Sequence, residues 1–197
     1  MVDTYSIYLK KKIMNIDSCI IEGVKIIEPS VFEDERGFFF ESYHQAKYKD
    51  IVKISEQFVQ DNHSKSAYGV LRGLHFQKNK PQGKLIRVIQ GFVYDFFVDI
   101  RRESSTFGKA FGIEINENNK LQVWLPPGLA HGFLTLSTFA EFEYKCTNFY
   151  DPNDEYCLLW NDSKVNIELP LPKEDIIVSP KDENGLTFDE LISKDII

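Results

Sequence analysis

Short runs rich in Val, Ile, Leu, Phe and Tyr recur along this chain at roughly ten-residue intervals, each closed off by Gly, Pro, Asn, Asp or Ser. The pattern predicts strands over residues 24–29, 36–43, 56–62, 69–77, 83–90, 92–101, 108–115, 121–125, 131–136, 140–148 and 155–160. Alternation is clearest after Gly91. Phe92, Tyr94, Phe96, Val98 and Ile100 share one face, while Val93, Asp95, Phe97 and Asp99 share the other. Helix signals are few, at 44–52 and at 189–196 near the C-terminus. Strands following strands without intervening helices predict an all-β sandwich or barrel, with a jelly roll as the first choice. No repeat or linker divides the chain, so one domain is expected over 24–185. Residues 1–23 then form an N-terminal extension and lead-in, weakly structured over 1–13, and residues 186–197 a short C-terminal segment.

Composition narrows the function classes. A chain of 197 residues with 43% hydrophobic and 27% charged residues suits one sizeable core in an ordinary globular protein. A net charge of −7 disfavours a general nucleic-acid or anionic-membrane binder. Any phosphate must then be met by a few local Arg and Lys residues. Cys19, Cys146 and Cys157 have spacings that fit neither a disulfide framework nor a zinc cluster. With no apolar stretch near membrane-span length and no signal-peptide apolar region, the expected location is the cytoplasm.

The most informative window is 60–77. Its core, Gly69-Val-Leu-Arg72-Gly73-Leu-His75-Phe-Gln77, sets a guanidinium and an imidazole three residues apart in an apolar run. A regular strand would send residues 72 and 75 to opposite faces. Gly73 offers a place for a bulge that returns both to one face, where they would line a cavity able to hold an anion and move a proton. An edge strand with two exposed polar residues is the alternative, and the window alone leaves both open.

Further blocks recur in order: Phe32-Glu-Asp-Glu-Arg36-Gly-Phe-Phe-Phe-Glu41, Gln60-Asp-Asn62, the window core, Gln82-Gly-Lys84-Leu-Ile-Arg87 and Val98-Asp-Ile-Arg101. Trp124-Leu-Pro-Pro-Gly-Leu-Ala-His131-Gly-Phe133, Ala140-Glu-Phe-Glu-Tyr144-Lys, Trp160-Asn-Asp162 and Ser179-Pro-Lys181-Asp182 follow. This series resembles the dTDP-4-dehydrorhamnose 3,5-epimerases, cupin-type jelly-roll enzymes of nucleotide-sugar biosynthesis, across about residues 24–185. Ser105, Leu129 and Ser163 depart from the family's usual residues, none at a position that the family uses for chemistry.

The resemblance implies inversion at C3 and C5 of a dTDP-4-keto-6-deoxyhexose. Both carbons neighbour the ketone, so their C–H bonds are acidified. Inversion needs a base on one face, a stabiliser for the enolate and an acid on the other face, with no redox cofactor or metal. His75 is the expected base, since imidazole titrates near neutrality; an isolated His in such a strand is more often a satisfied core residue. The resemblance brings Asp182 to His75 as its orienting carboxylate, although an Asp in Pro180-Lys-Asp-Glu-Asn184 otherwise reads as a solvated turn residue. Tyr144 is the expected acid and shares a strand face with Ala140, Phe142 and Cys146, the same parity that a purely structural core Tyr would show. Lys84 is the expected cation beside the enolate oxygen; outside the series it would be one more surface lysine.

Arg36, Glu41, Gln60, Asn62 and Arg72 match positions at which the family grips diphosphate and sugar; His131, Tyr150, Glu155 and Lys181 are further expected substrate contacts. Strand parity sets Arg36 and Glu41 on opposite faces, so one would serve a neighbouring subunit, in keeping with the family's homodimers that exchange N-terminal strands. A metal-dependent cupin oxygenase is disfavoured because His44, His63, His75 and His131 form no H-x-H pair, and no tight metal or cofactor is expected. A sugar-binding jelly roll would need aromatic platforms at its rim. A mono-epimerase or a 3,4-ketoisomerase acting on another nucleotide sugar is the nearest alternative.

Overall fold

The computed structural model describes residues 14–197, so the extension expected over 1–13 lies outside the described residues. In chain order the strands are β1 (Asn15–Ser18), β2 (Lys25–Glu28), β3 (Phe32–Asp34), β4 (Gly37–Phe39), β5 (Gln60–Ala67), β6 (Val70–Gln77) and β7 (Lys84–Gln90). Then come β8 (Phe92–Asp99), β9 (Ala110–Asn116), β10 (Gln122–Leu125), β11 (Leu129–Thr135), β12 (Phe139–Cys146), β13 (Glu155–Cys157) and β14 (Ile177–Val178). Two sheets face each other, one ordered β1-β2-β10-β7-β12-β5 and the other β13-β6-β11-β8-β9, with β14 alongside β6. Neighbours within a sheet are mostly distant in sequence, as in the expected jelly roll. The interior between the sheets is filled by residues such as Ile86, Val93, Phe97, Val123, Phe133 and Phe142.

The alternation of β8 is realised, with both faces buried. Val93 and Phe97 point into the interior, while Phe96 and Val98 join a second core. There the C-terminal segment, through Leu158, Trp160, Phe188 and Leu191, covers the outside of that sheet. A third cluster, of Tyr48, Val52 and Ile54 on Leu85 and Trp124, covers the outside of the other sheet. A strand apolar on both faces folds stably only between two such covers.

Several boundaries move. Residues 36–43 are not one strand: β3 and β4 form a separate hairpin, with Arg36 in its turn. Gly37 has φ +125°, and the Asp34 carboxylate accepts from the Arg36 backbone N–H at 2.9 Å, which together reverse the chain. The expected strand 56–62 begins only at Gln60 and runs to Ala67, and that over 155–160 ends at Cys157. The helix over 44–52 is one α turn, α1 (Gln45–Lys47), continuing as a π turn (Tyr48–Val52) that ends on left-handed Lys53. The polar 180–184 stretch holds a short helix, α2 (Pro180–Glu183), with Ser179 as its N-cap. The terminal helix is α3 (Phe188–Ser193), started by a Thr187/Glu190 capping box. At the other end, β1 is hydrogen-bonded to β2 as part of the sheet.

Candidate active site

The strand pairing β6–β11 contains the irregularity that Gly73 suggests. His131 pairs with His75 and Phe133 with Arg72, so three steps on β6 oppose two on β11. Gly73 sits in the bulge at φ +113°, and a Cβ there would meet His131 O at 2.5 Å and Gly132 Cα at 2.7 Å. Only glycine fits. The extra residue turns Arg72 and His75 into the same cavity, of about 650 Å³, between the ends of the two sheets. That volume is typical of a small-molecule site.

One wall belongs to the β6–β11 sheet. His75 Nε2 lies 2.5 Å from Asp182 Oδ1, and the Gly73 N–H donates to Asp182 Oδ2 at 3.3 Å. Asp182 is 3% exposed and is delivered by α2, where the Ser179 hydroxyl accepts from its backbone N–H. Burial pushes the Asp182 carboxyl up, but His75, the Gly73 N–H and Ser179 outweigh it and hold the group below its ordinary range. On the other ring nitrogen, His75 Nδ1 is 3.9 Å from Glu155 Oε1. Glu155 accepts from the Tyr150 hydroxyl at 2.8 Å and pairs with Lys181. These two partners, with the His75 charge, overcome the burial that would raise the Glu155 carboxyl.

His131, buried in β11, bonds through Nε2 to Asp95 Oδ1 at 2.7 Å. Burial lowers the imidazole's affinity for a second proton more than Asp95 raises it. Asp95 is a site residue that the sequence reading did not single out, although its signal was present. It sits on the face of β8 shared with Val93 and Phe97, and a carboxylate there needs a buried partner.

The facing wall comes from β5, β7 and β12. The inward set Ala140, Phe142, Tyr144 and Cys146 is as the parity predicts, while Glu141, Glu143 and Lys145 turn outward to Lys65, Arg87 and Asp61. Burial pushes the Tyr144 phenol up to about 12. Lys84 is 8% exposed, has no ion-pair partner among the described residues, and lies with Nζ 5.8 Å from the Tyr144 ring centre. Burial lowers its pKa against the pull of Cys146, Asp95 and Glu155. A desolvated ammonium without a fixed counter-ion is poised to meet negative charge that arrives with a ligand.

The cavity lining thus brings together His75, Asp182, Lys84, Tyr144, Asn62, Arg72, His131, Tyr150, Glu155 and Lys181. Arg72 keeps part of its fork free: Nε donates to Ser66 Oγ at 2.9 Å, and Nη2 reaches Lys65 O at 3.5 Å. Gln60 lies behind the lining, accepting from the Tyr150 N–H at 2.8 Å and donating to Asn62 Oδ1 at 3.0 Å. Buried Gln77, also not singled out, accepts from the Asp151 N–H and donates to Phe149 O, fastening the segment that carries Tyr150. Arg36 and Glu41 do not reach this cavity. Arg36 is paired with Asp34 in the hairpin turn, and Glu41 with Lys47. They share no strand, so the argument from opposed faces does not apply to them.

A family profile described as dTDP-4-dehydrorhamnose 3,5-epimerase matches residues 18–190. A dTDP-4-dehydrorhamnose 3,5-epimerase from Escherichia coli (strain K12) is 49% identical over 185 residues, covering 93% of this chain and 100% of that one. The crystal structure of the enzyme of that name from Elizabethkingia anophelis NUHP1 superposes with TM-score 0.86 at 47% identity, covering 90% of this chain and 97% of the other. A dTDP-6-deoxy-D-glucose-3,5-epimerase from Legionella pneumophila Philadelphia 1, solved in complex with dTDP-4-keto-L-rhamnose, gives TM-score 0.89 at 44% identity over 94% and 97%. By its bulged Arg–Gly–Leu–His strand, its jelly roll and its likeness to these enzymes along nearly its whole length, the chain belongs to the dTDP-4-dehydrorhamnose 3,5-epimerase family.

Proposed function

We propose that this chain inverts C3 and C5 of a dTDP-4-keto-6-deoxyhexose, converting dTDP-4-dehydro-6-deoxy-D-glucose to dTDP-4-dehydro-L-rhamnose. One observation carries the reading: a His–Asp pair and a partly buried tyrosine stand on opposite walls of a single cavity that also holds a lysine with no ion-pair partner among the described residues. The Legionella relative holds the proposed product. With Asp182 ionised, His75 donates through Nε2, which leaves the Nδ1 lone pair to take the proton from carbon. The resulting enolate gathers charge on the sugar's O4, where Lys84 neutralises it. Tyr144 returns a proton to the opposite face. A phenol with a pKa of about 12 delivers poorly to water but readily to a strongly basic enolate carbon. Reprotonation of the phenolate and release of the His75 proton restore the starting state, and the cycle repeats at the second carbon.

Asn62, Arg72, His131, Tyr150, Glu155 and Lys181 serve sugar and diphosphate, the Arg72 fork matching phosphate oxygens. Gln60 supports them from behind, and Arg36 and Glu41 act with them once a second subunit contributes its N-terminal segment. That pairing is supported by the exposure of Phe32 (56%), Phe38 (59%) and Phe39 (68%) on the hairpin. We place the enzyme in the cytoplasm; among the described residues no helix is long and apolar enough to cross a membrane.

The test is deuterium incorporation from heavy water into dTDP-4-keto-6-deoxyglucose, scored by NMR for isotope and configuration at each carbon. The wild type should exchange and invert both centres. His75→Asn should lose both, by on the order of a thousandfold, while dTDP binding stays near the wild-type value. Tyr144→Phe should retain residual exchange with inversion suppressed, because only the second delivery is lost. Inversion at both centres at near-native rate in Tyr144→Phe would remove it as the acid, and exchange at C3 alone in the wild type would make the chain a mono-epimerase.

A further inference from the structure

Cys157 has no task in the proton chemistry above, yet it is fixed beside its two central residues. In the β13–β6 pairing it lies directly opposite His75. Its Sγ is 3.9 Å from Asp182 Oδ1, the oxygen that also bonds His75 Nε2 at 2.5 Å. One ligand atom from each of His75, Cys157 and Asp182 lies within 4.8 Å of the others. The three donors are an imidazole nitrogen, a sulfur and a carboxylate oxygen. Bond lengths of about 2.0 Å to nitrogen or oxygen and about 2.3 Å to sulfur require donors about 3.3–3.5 Å apart around a tetrahedral ion. On that geometry the His75–Asp182 contact would open by roughly 0.8 Å and the contact of the thiol with Asp182 close by roughly 0.4 Å.

We propose that His75, Cys157 and Asp182 form a binding site for a soft divalent ion of the zinc class, and that its occupancy switches proton transfer off. The mixed nitrogen, sulfur and oxygen set favours zinc over magnesium or calcium. The ion would enter through the cavity, which His75 and Asp182 line, with Cys157 just behind that lining. Binding replaces the thiol proton, which leaves to solvent, and the resulting thiolate and carboxylate balance the two positive charges. The imidazole must also present its lone pair at Nε2, so its hydrogen moves to Nδ1. There Glu155 Oε1, now 3.9 Å away, is the carboxylate that would accept it. Lys181, the nearest cation to that carboxylate, is already paired with Glu155 through Oε2 and leaves Oε1 free for the ring. The switch rests on His75 acting as the base through Nδ1, since the ion-bound tautomer has a hydrogen where the lone pair was.

Cobalt(II) added to metal-free enzyme reads the site without reference to catalysis. One equivalent per chain should produce a near-ultraviolet thiolate-to-cobalt charge-transfer band, lost in Cys157→Ala and weakened in His75→Asn. Zinc should inhibit the wild type reversibly, with activity restored by a chelator. Cys157→Ala should turn over near the wild-type rate and require at least about tenfold more zinc for the same inhibition. Absence of the band in the wild type, its survival in Cys157→Ala, or equal zinc sensitivity of the two would each overturn the proposal. The wild-type spectrum decides the matter even if the variant does not fold. A band present with turnover untouched by zinc would overturn the switch, whereas the base assignment stands or falls on metal-free exchange in His75→Asn.

Discussion

Burying the Lys84 ammonium with no paired carboxylate among the described residues costs folding free energy. Lys84→Met should therefore raise stability by on the order of 1–2 kcal/mol, or about 2–6 °C in Tm, as replacements of buried charge by apolar groups of similar length do. Because burial lowers this lysine's pKa, the cost is fully present at pH below the depressed folded value. It fades as pH rises from there towards the ordinary lysine range near 10. The stability gain of the variant should shrink over that same window. Turnover should fall by about a hundred- to a thousandfold if the lysine meets the enolate. Thermal melts at several pH values together with turnover check this, and a variant that is inactive but no more stable would contradict the account of Lys84 as an uncompensated charge.

The element that makes the site is the bulged strand β6. Gly73→Ala would force a Cβ to 2.5 Å from the His131 carbonyl oxygen, at a φ of +113° that side chains rarely adopt. The neighbours are backbone atoms and cannot swing aside, so a loss of about 2–4 kcal/mol is expected in chemical denaturation. Turnover should fall as well, because a regularised strand would point Arg72 and His75 to opposite faces and withdraw the Gly73 N–H from Asp182. A variant with native stability and native turnover would show that the strand tolerates a regular register. This bulge was legible beforehand because a glycine stood between two residues that needed a common face. The turn at residues 35–36, which breaks the expected strand 36–43 and makes residues 32–39 a hairpin, was not legible by alternation, since the reversal depends on one Asp34 side-chain bond and one glycine dihedral.

For the whole molecule, the outer faces of both sheets are covered by the chain itself, while the aromatic β3–β4 hairpin is left exposed. If the proposed dimer forms through this hairpin, a Phe38→Asp, Phe39→Asp double variant should be monomeric in light scattering at micromolar concentration while the wild type is dimeric. Turnover should fall with it if Arg36 and Glu41 work in a second subunit's cavity. A wild type that scatters as an active monomer would dispose of the dimer. The sequence by itself determined the all-β class, the inward parity of Tyr144 and the family, because strand alternation and ordered motifs are local properties of the chain. It also named His75, Lys84 and Asp182 through that family likeness. Only the tertiary structure decided which of these groups meet. Asp182 reaches His75 across 107 positions of sequence, and Asp95 becomes a partner for His131 because β8 and β11 are neighbours in one sheet. Arg36 and Glu41 remain outside the cavity because Arg36 sits in the β3–β4 turn, paired with Asp34, and Glu41, beyond the hairpin, pairs with Lys47. Pairings of that range depend on which strands cross between the sheets, and a one-dimensional pattern carries no record of that choice.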